Sequence, residues 1–290
     1  VTSAADWIAG ARPRTLPAAI VPVGVGTAAA DLDGAPIWWR AAAALVVSLA
    51  IQVGVNYAND YSDGVRGTDD RRVGPMRLVG SGAASPGAVK GAALMAFGLA
   101  AAVGVGLAAA AGWWLIALGA ASILAAWFYT GGPKPYGYLG LGEIFVFAFF
   151  GVVATGGTTY VQDERVTTLA LAASVPVGLM AVALLITNNL RDLPKDAEAG
   201  KRTLAVRMGD RPTRLLYTAV LTAVFLFLPY LAILRPWALL GLLGIPLAVG
   251  PVRTVLRGAA GPDLIPVLGA TGRVQLVVGL LLTVGLALSG

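Results

Sequence analysis

A chain of 290 residues that is 57% hydrophobic and only 12% charged, with a mean hydropathy of +0.78, belongs to the membrane class and not to soluble proteins of that length. It contains neither cysteine nor histidine, which excludes a disulfide framework, a thiolate nucleophile, a Cys/His zinc or haem site and a histidine general base. Any metal must be bound by oxygen, and the net charge of +6 sits in short loops between apolar runs, so phosphate or lipid headgroup is the expected partner and nucleic acid is not.

In chain order, nine segments have the apolar length of roughly 17–22 residues needed to cross a bilayer. They lie near Thr15–Ala30, Trp39–Ala58, Lys90–Ala111, Trp113–Thr130, Gly140–Tyr160, Thr168–Asn189, Arg214–Ile233, Trp237–Val252 and Arg273–Ser289. The expected fold is an all-α integral membrane protein. The first segment contains Pro17 and Pro22 and follows a mixed stretch, so it reads as a retained span and not as a cleavable signal. With the N-terminus placed in the cytoplasm, only Arg40, Arg165 and Arg235 of the 21 lysines and arginines fall outside. That bias sets the orientation and, with nine spans, puts the C-terminus outside.

The second segment ends in QVGVNYANDYSDGVRGTDD, Gln52 to Asp70, a cluster of amides and carboxylates at the end of an apolar run. Helical spacing puts Asn56, Asp60 and Asp63 on one face. The sixth ends in TNNLRDLPKDAEAGKRTL, where Asn188, Asp192 and Asp196 follow one another at four-residue steps. The two patches suggest similar halves, about 1–130 and 131–290, of a single membrane domain. Facing one another, they are suited to hold hard divalent cations with a phosphate-bearing ligand. Ionisable groups at membrane depth are functional by default, and two matched sets outweigh a capping role. Asp69 and Asp70 read equally well as loop acids.

Basic residues alternate with these acids: Arg66, Arg71, Arg72 and Arg77 after the first patch, Arg191, Lys195, Lys201 and Arg202 around the second. Several suit a phosphate clamp. The loop YTGGPKPYGYLGLGE adds Tyr129, Lys134, Tyr136, Tyr138 and Glu143 on the same side, and the following FVFAFFG offers Phe145 and Phe149 as ring faces for a cation. AGKRT around Lys201 fails as a P-loop, because Lys195 stands in place of its first glycine and Arg202 in place of Ser/Thr.

The segments ARPRTLPAAIVPVGVG, NYANDYSDGVRGTD, GPMRLVGSG, YTGGPKPYGYLGLGE and NNLRDLPKDAEAGKRTLAVRMG cover nearly the whole chain and together resemble the UbiA-type membrane prenyltransferases. The NDYxDxxxGxD and NNxRDxxxDxxxGKxTL forms are closest to the naphthoate branch, which acts in menaquinone biosynthesis. The resemblance implies a ring of nine helices around a cavity open sideways to lipid, in the cell membrane. It implies aromatic prenyl transfer: two Mg2+ ions on Asn56, Asp60, Asp63, Asn188, Asp192 and Asp196 bridge a polyprenyl diphosphate, with Asp60, Asp63, Asp192 and Asp196 as the catalytic carboxylates. Arg66, Arg72, Arg77, Lys134, Arg191 and Lys201 would hold the diphosphate. Arg14, Asp69, Tyr129, Tyr136, Phe145 and Phe149 are candidates for the acceptor and prenyl pocket, with 1,4-dihydroxy-2-naphthoate as acceptor. The position of a common third acid is Gly67 here, with the next acid at Asp69. Two alternatives stand beside this reading: another aromatic acceptor such as 4-hydroxybenzoate, and a secondary transporter, for which intramembrane acids are equally natural.

Overall fold

A computed structural model describes residues 2–30, 35–67 and 76–289. Asp69, Asp70, Arg71 and Arg72, all named above, lie outside the described residues. Among those described, every regular element is helical: α1 (Ala4–Ala11), α2 (Pro17–Ala28), α3 (Trp38–Val65), α4 (Pro86–Ala111), α5 (Leu115–Phe128), α6 (Gly142–Val146), α7 (Ala154–Asp163), α8 (Thr168–Glu198), α9 (Leu204–Met208), α10 (Asp210–Leu234), α11 (Ile245–Leu256) and α12 (Leu264–Leu288). A π-helical turn, Phe147–Val153, fuses α6 to α7, and a 3-10 stretch, Pro236–Gly244, leads into α11.

A helix lies on each of the nine predicted segments. Among the described residues, seven spans are long and apolar enough to cross a bilayer: α3, α4, Gly142–Asp163, α8, α10, Pro236–Leu256 and Gly261–Leu288. The first and fourth segments, α2 and α5, are shorter apolar helices of 12 and 14 residues. At 1.5 Å per residue they fall short of the roughly 30 Å hydrocarbon core. Pro17 takes the first position of α2, two residues after the expected start at Thr15, and Gly112, at a positive φ of 150°, stops α4 and delays the start of α5.

The long helix α8 is the axis of the bundle. Of its apolar window 72% is buried, against 28–50% in the other spans, because α2, α6, α7, α10, α12 and the π turn all pack around it. Val25, Ala173, Val177, Leu228, Val278 and Leu282 form the centre of that core, each 0% exposed. At the end away from the acidic patches, Arg40 in the first turn of α3 donates to Ala110 O at 2.8 Å and Val161 O at 2.9 Å, tying together the ends of α4 and α7. Arg235 likewise donates to Ser289 O at 2.6 Å. These arginines satisfy the helix-end carbonyls that a bilayer cannot solvate.

The π turn sets the phase of its span. Phe145, Phe149, Val153, Gly157 and Val161 recur every four residues and all face one cavity. On a regular helix a four-residue stripe drifts about 40° per step, so the wider turn is what keeps it aligned. Against α8 the turn packs backbone to backbone: a Cβ on Gly151 would stand 2.7 Å from Gly178 Cα and 2.9 Å from Ser174 O. Gly151→Ala is therefore expected to destabilise the protein by about 1–3 kcal/mol and to lower its melting midpoint in detergent by several degrees. Gly269→Ala, where an added Cβ meets nothing within 4 Å, should leave the midpoint unchanged.

Candidate active site

The two polar patches meet. A cavity of about 720 Å³ runs between α3, α4, α5, the α6–α7 span and α8, and its polar end is lined by Asn56, Asn59 and Asp63 from α3 and Asn188, Asn189, Asp192 and Asp196 from α8. Lys201 joins the two sides, with Nζ 3.1 Å from Asp63 Oδ1 and 3.9 Å from Asp196 Oδ1. Its position follows from the way α8 ends. Gly200 adopts the left-handed conformation (φ 73°), Gly200 N–H donates to Ala197 O at 3.2 Å, and Lys201 N–H donates to Asp196 O at 2.8 Å. This is a Schellman turn, which reverses the chain within two residues and folds the lysine back over the last acidic turn.

Tyr138 donates its phenolic hydrogen to the same Asp63 oxygen, and its ring carries the Lys201 ammonium at 4.8 Å. The loop bearing Tyr138 is held in turn by Arg202 N–H to Tyr138 O at 3.0 Å. Asp192 is gripped from its own helix: Arg191 Nε and Nη2 donate to its two carboxylate oxygens at 2.8 and 2.7 Å. This fork is the strongest geometry for an arginine–carboxylate pair.

The face of α3 that reaches the cavity differs by one residue from the expected one. Gln52, Asn56, Asn59 and Asp63 line the cavity, whereas Asp60 does not. The Asp60 carboxylate is 0% exposed and accepts the main-chain N–H groups of Leu78 and Val79 at 2.8 and 3.0 Å. Leu78 is itself fully buried beneath Gly10 and Tyr57. Asp60 thus anchors the segment that brings Arg77 to the cavity, and Asn59, absent from the expected set, stands in its place. The signal for Asn59 was its four-residue spacing to Asp63, the spacing that also relates Asn188, Asp192 and Asp196.

Of the expected basic residues, Arg77 and Lys201 line the cavity; Arg66, Lys134 and Arg191 do not. Arg66 is exposed and donates to the carbonyls of Thr130 and Gly132, Lys134 is exposed, and Arg191 is committed to Asp192. Arg14 is exposed as well; Arg12 reaches the cavity instead, from a left-handed backbone (φ 53°) that places Nη2 3.2 Å from Asn56 O. A non-glycine residue there is strained, and the strain positions a cation. Lys195 also lines this end.

Tyr129, Tyr136, Phe145 and Phe149 come together as expected. Tyr136 stacks on Phe145 with centroids 4.0 Å apart, Phe145 and Phe149 are 6.1 Å apart and nearly parallel, and Tyr129 meets Tyr136 edge-on at 5.5 Å. Burial holds the phenol of Tyr136 well above its usual pKa, so it remains neutral. Beyond this column the cavity is predominantly apolar between α5 and the α6–α7 span, with Ser122 and Thr158 among its lining. Its lining includes Val105, Ile116 and Leu124, which are 45–56% exposed on the outer surface, so it opens sideways.

Among the described residues no three carboxylates lie close enough to form a metal cage by themselves. The donor set fits magnesium nonetheless. That ion takes one or two carboxylates and completes its shell with substrate phosphate and water, and a lysine ammonium already sits between Asp63 and Asp196.

The chain is thus a helical bundle of the membrane class whose lateral cavity ends in a mouth of carboxylates, amides and basic residues. The fold is similar to that of a UbiA homologue from Archaeoglobus fulgidus solved with GPP and Mg2+, with a TM-score of 0.64 over 96% of this chain and 99% of that one, at 14% identity. The chain belongs to the UbiA prenyltransferase family, whose pattern matches residues 19–263. It is 51% identical to the 1,4-dihydroxy-2-naphthoate octaprenyltransferase of Mycobacterium tuberculosis over 96% of this chain and 95% of that protein. To the enzyme of the same name from Mycobacterium leprae it is 48% identical over 100% and 99%.

The anchoring role of Asp60 is local and can be read locally. In Asp60→Ala, amide exchange across residues 76–84 should accelerate by about one to two orders of magnitude, as expected for two buried N–H groups losing a charged acceptor. In Asp63→Ala the same peptide should exchange at the wild-type rate. Equal acceleration in both variants would contradict the division of roles.

Proposed function

We propose that the chain transfers a polyprenyl group from its diphosphate to 1,4-dihydroxy-2-naphthoate with loss of carbon dioxide, yielding demethylmenaquinol, the two-electron-reduced form of demethylmenaquinone. The observation that carries this reading is the junction within one cavity: carboxylates and amides of α3 and α8 at one end, an aromatic column next, and an apolar opening to lipid beyond. The names of the two mycobacterial relatives support the choice of acceptor.

Asn59, Asp63, Asn188, Asp192 and Asp196, with Asn56 beside them, would hold magnesium, in the two-ion arrangement the paired patches suggest. Bound there, magnesium neutralises diphosphate charge and makes it a better leaving group. Arg12, Arg77, Lys195 and Lys201 line the same end and supply cationic donors to the departing diphosphate. As the carbon–oxygen bond breaks, the allylic cation lies against the faces of Tyr136, Phe145 and Phe149. The apolar wall beyond keeps out water, which would capture that cation as an alcohol. The ring carbon bearing the carboxylate forms the new carbon–carbon bond. The carboxylate then leaves as carbon dioxide, and its bonding pair restores the aromatic ring.

We read α2 and α5 as completing a nine-span ring, with the N-terminus and the polar mouth cytoplasmic and the C-terminus outside. The chain has no cysteine, so single reporters are clean. A cysteine at Asp163 should react with an impermeant thiol reagent in intact cells, and one at Arg211 only after lysis; the reverse pattern would invert the orientation.

With carboxyl-labelled naphthoate and a polyprenyl diphosphate, label should leave as carbon dioxide in step with prenylated product, and chelation of magnesium should stop both. Label kept in a prenylated product, or turnover of 4-hydroxybenzoate alone, would assign a different acceptor.

A further inference from the structure

One buried carboxylate stands outside the machinery described so far. Glu143 opens α6, is 8% exposed, and accepts a hydrogen bond at Oε1 from Asn189 Nδ2 at 2.9 Å; its Oε2 is buried with no hydrogen-bond partner among the described residues. A carboxyl group held within a membrane span is costly, and a structural role would have satisfied both oxygens.

What Glu143 does to Asn189 follows from donor and acceptor chemistry. An asparagine amide presents an NH2 group at one end and a carbonyl at the other, and a half-buried asparagine on a cavity wall can turn either end outward. A carboxylate accepts and does not donate. It therefore captures the NH2 end, leaving the Asn189 carbonyl as the atom available to the cavity that Asn189 lines. Asn189 sits about 100° round α8 from Asn188 and about 20° from Asp196, at the edge of the magnesium-binding stripe, from which its amide reaches α6. Gly142, next to Glu143, packs on the Tyr129 ring, so this carbonyl lies where the polar mouth meets the aromatic column.

The substrates differ sharply in what they can offer such an atom. A prenyl diphosphate presents only acceptors and hydrocarbon, and the naphthoate carboxylate presents only acceptors. The two ring hydroxyls are the donors in the reaction. We propose, on the reading of the acceptor given above, that the Asn189 carbonyl receives a hydrogen bond from a hydroxyl of the aromatic substrate, with Glu143 as the positioning residue that fixes the amide for it. The contact orients the ring and, by drawing on the hydroxyl proton, enriches the ring carbon that attacks. It also selects against aromatic acids lacking that hydroxyl, because a fixed carbonyl in a dry pocket is then left unpaired.

The test compares the parent naphthoate with 1-hydroxy-2-naphthoate and 4-hydroxy-2-naphthoate as competing ligands, using the full-length protein in detergent. In the wild type, loss of the recognised hydroxyl should weaken competition about tenfold, the upper worth of one hydrogen bond in a dry site. In Asn189→Leu, which keeps the volume and removes the acceptor, all three should compete within about twofold, and KM for naphthoate should rise about tenfold while KM for the prenyl diphosphate and the magnesium requirement stay at wild-type values. Glu143→Gln keeps the shape, so it carries the test if Asn189→Leu does not fold. Its amide can hold either end of Asn189, and part of the discrimination should disappear. Undiminished discrimination in both variants, or a donor KM that moves as far as the acceptor KM, would overturn the proposal. Absence of any naphthoate turnover by the wild type would instead sink the functional reading, and the proposal with it.

Discussion

A carboxylate inside a helical membrane bundle has to be answered by a cation or by donors, and the placement of this protein's site follows from how that demand is met. Lys201 lies between Asp63 of α3 and Asp196 of α8. Tyr138 donates to Asp63, Arg191 grips Asp192, and the main chain of Leu78 and Val79 receives Asp60. Removing one member of a buried ionic set commonly costs about 3–5 kcal/mol, because the remaining charge is stranded. These contacts therefore lock the two helices, the 136–139 turn and the 77–79 segment into one arrangement. The cavity is the space that arrangement leaves.

Much of this was legible in the sequence, and the residues that were not share a reason. Apolar runs located a helix at each of nine places because hydropathy and length are properties of a segment alone. On α8 the second patch was readable because Asn188, Asp192 and Asp196 repeat at a single spacing. On α3 two stripes, 56–60–63 and 52–56–59–63, satisfy helical spacing equally, and nothing local chooses between them. The choice is made by the 77–79 main chain, whose N–H groups claim Asp60. Long basic side chains posed the same difficulty: Arg12 and Arg14 are separated by one proline, yet a left-handed backbone at Arg12 sends one to the cavity and leaves the other in solvent. Asn189 was hidden by its neighbour, since the motif drew attention to Asn188.

The short amphipathic helix α1 is part of the same construction. Asn56 Nδ2 donates to Ala11 O at 2.9 Å, Tyr57 OH donates to Trp7 O at 2.8 Å, and a Cβ on Gly10 would stand 2.7 Å from Leu78 Cδ1. Its capping box, Ser3 with Asp6, gives so short a helix a defined start. Helix α1 thus braces α3 and Leu78 from behind the polar mouth, and the αL residue at its end, Arg12, supplies one of the mouth's cations.

The π turn at Phe147–Val153 carries a consequence for comparing such chains. A π turn is an α-helix with one residue inserted, so a relative lacking that residue would present the downstream half of the span rotated by about 100°. Gly157, Thr158 and Val161, which line the cavity here, would then face a neighbouring helix, and other side chains would take their places. Aligned letter by letter without a gap, two such chains would agree in residue identity and disagree in which residues are wet by substrate. The width of the apolar channel can change in this way through a single inserted or deleted codon, with every carboxylate of the polar mouth left in place.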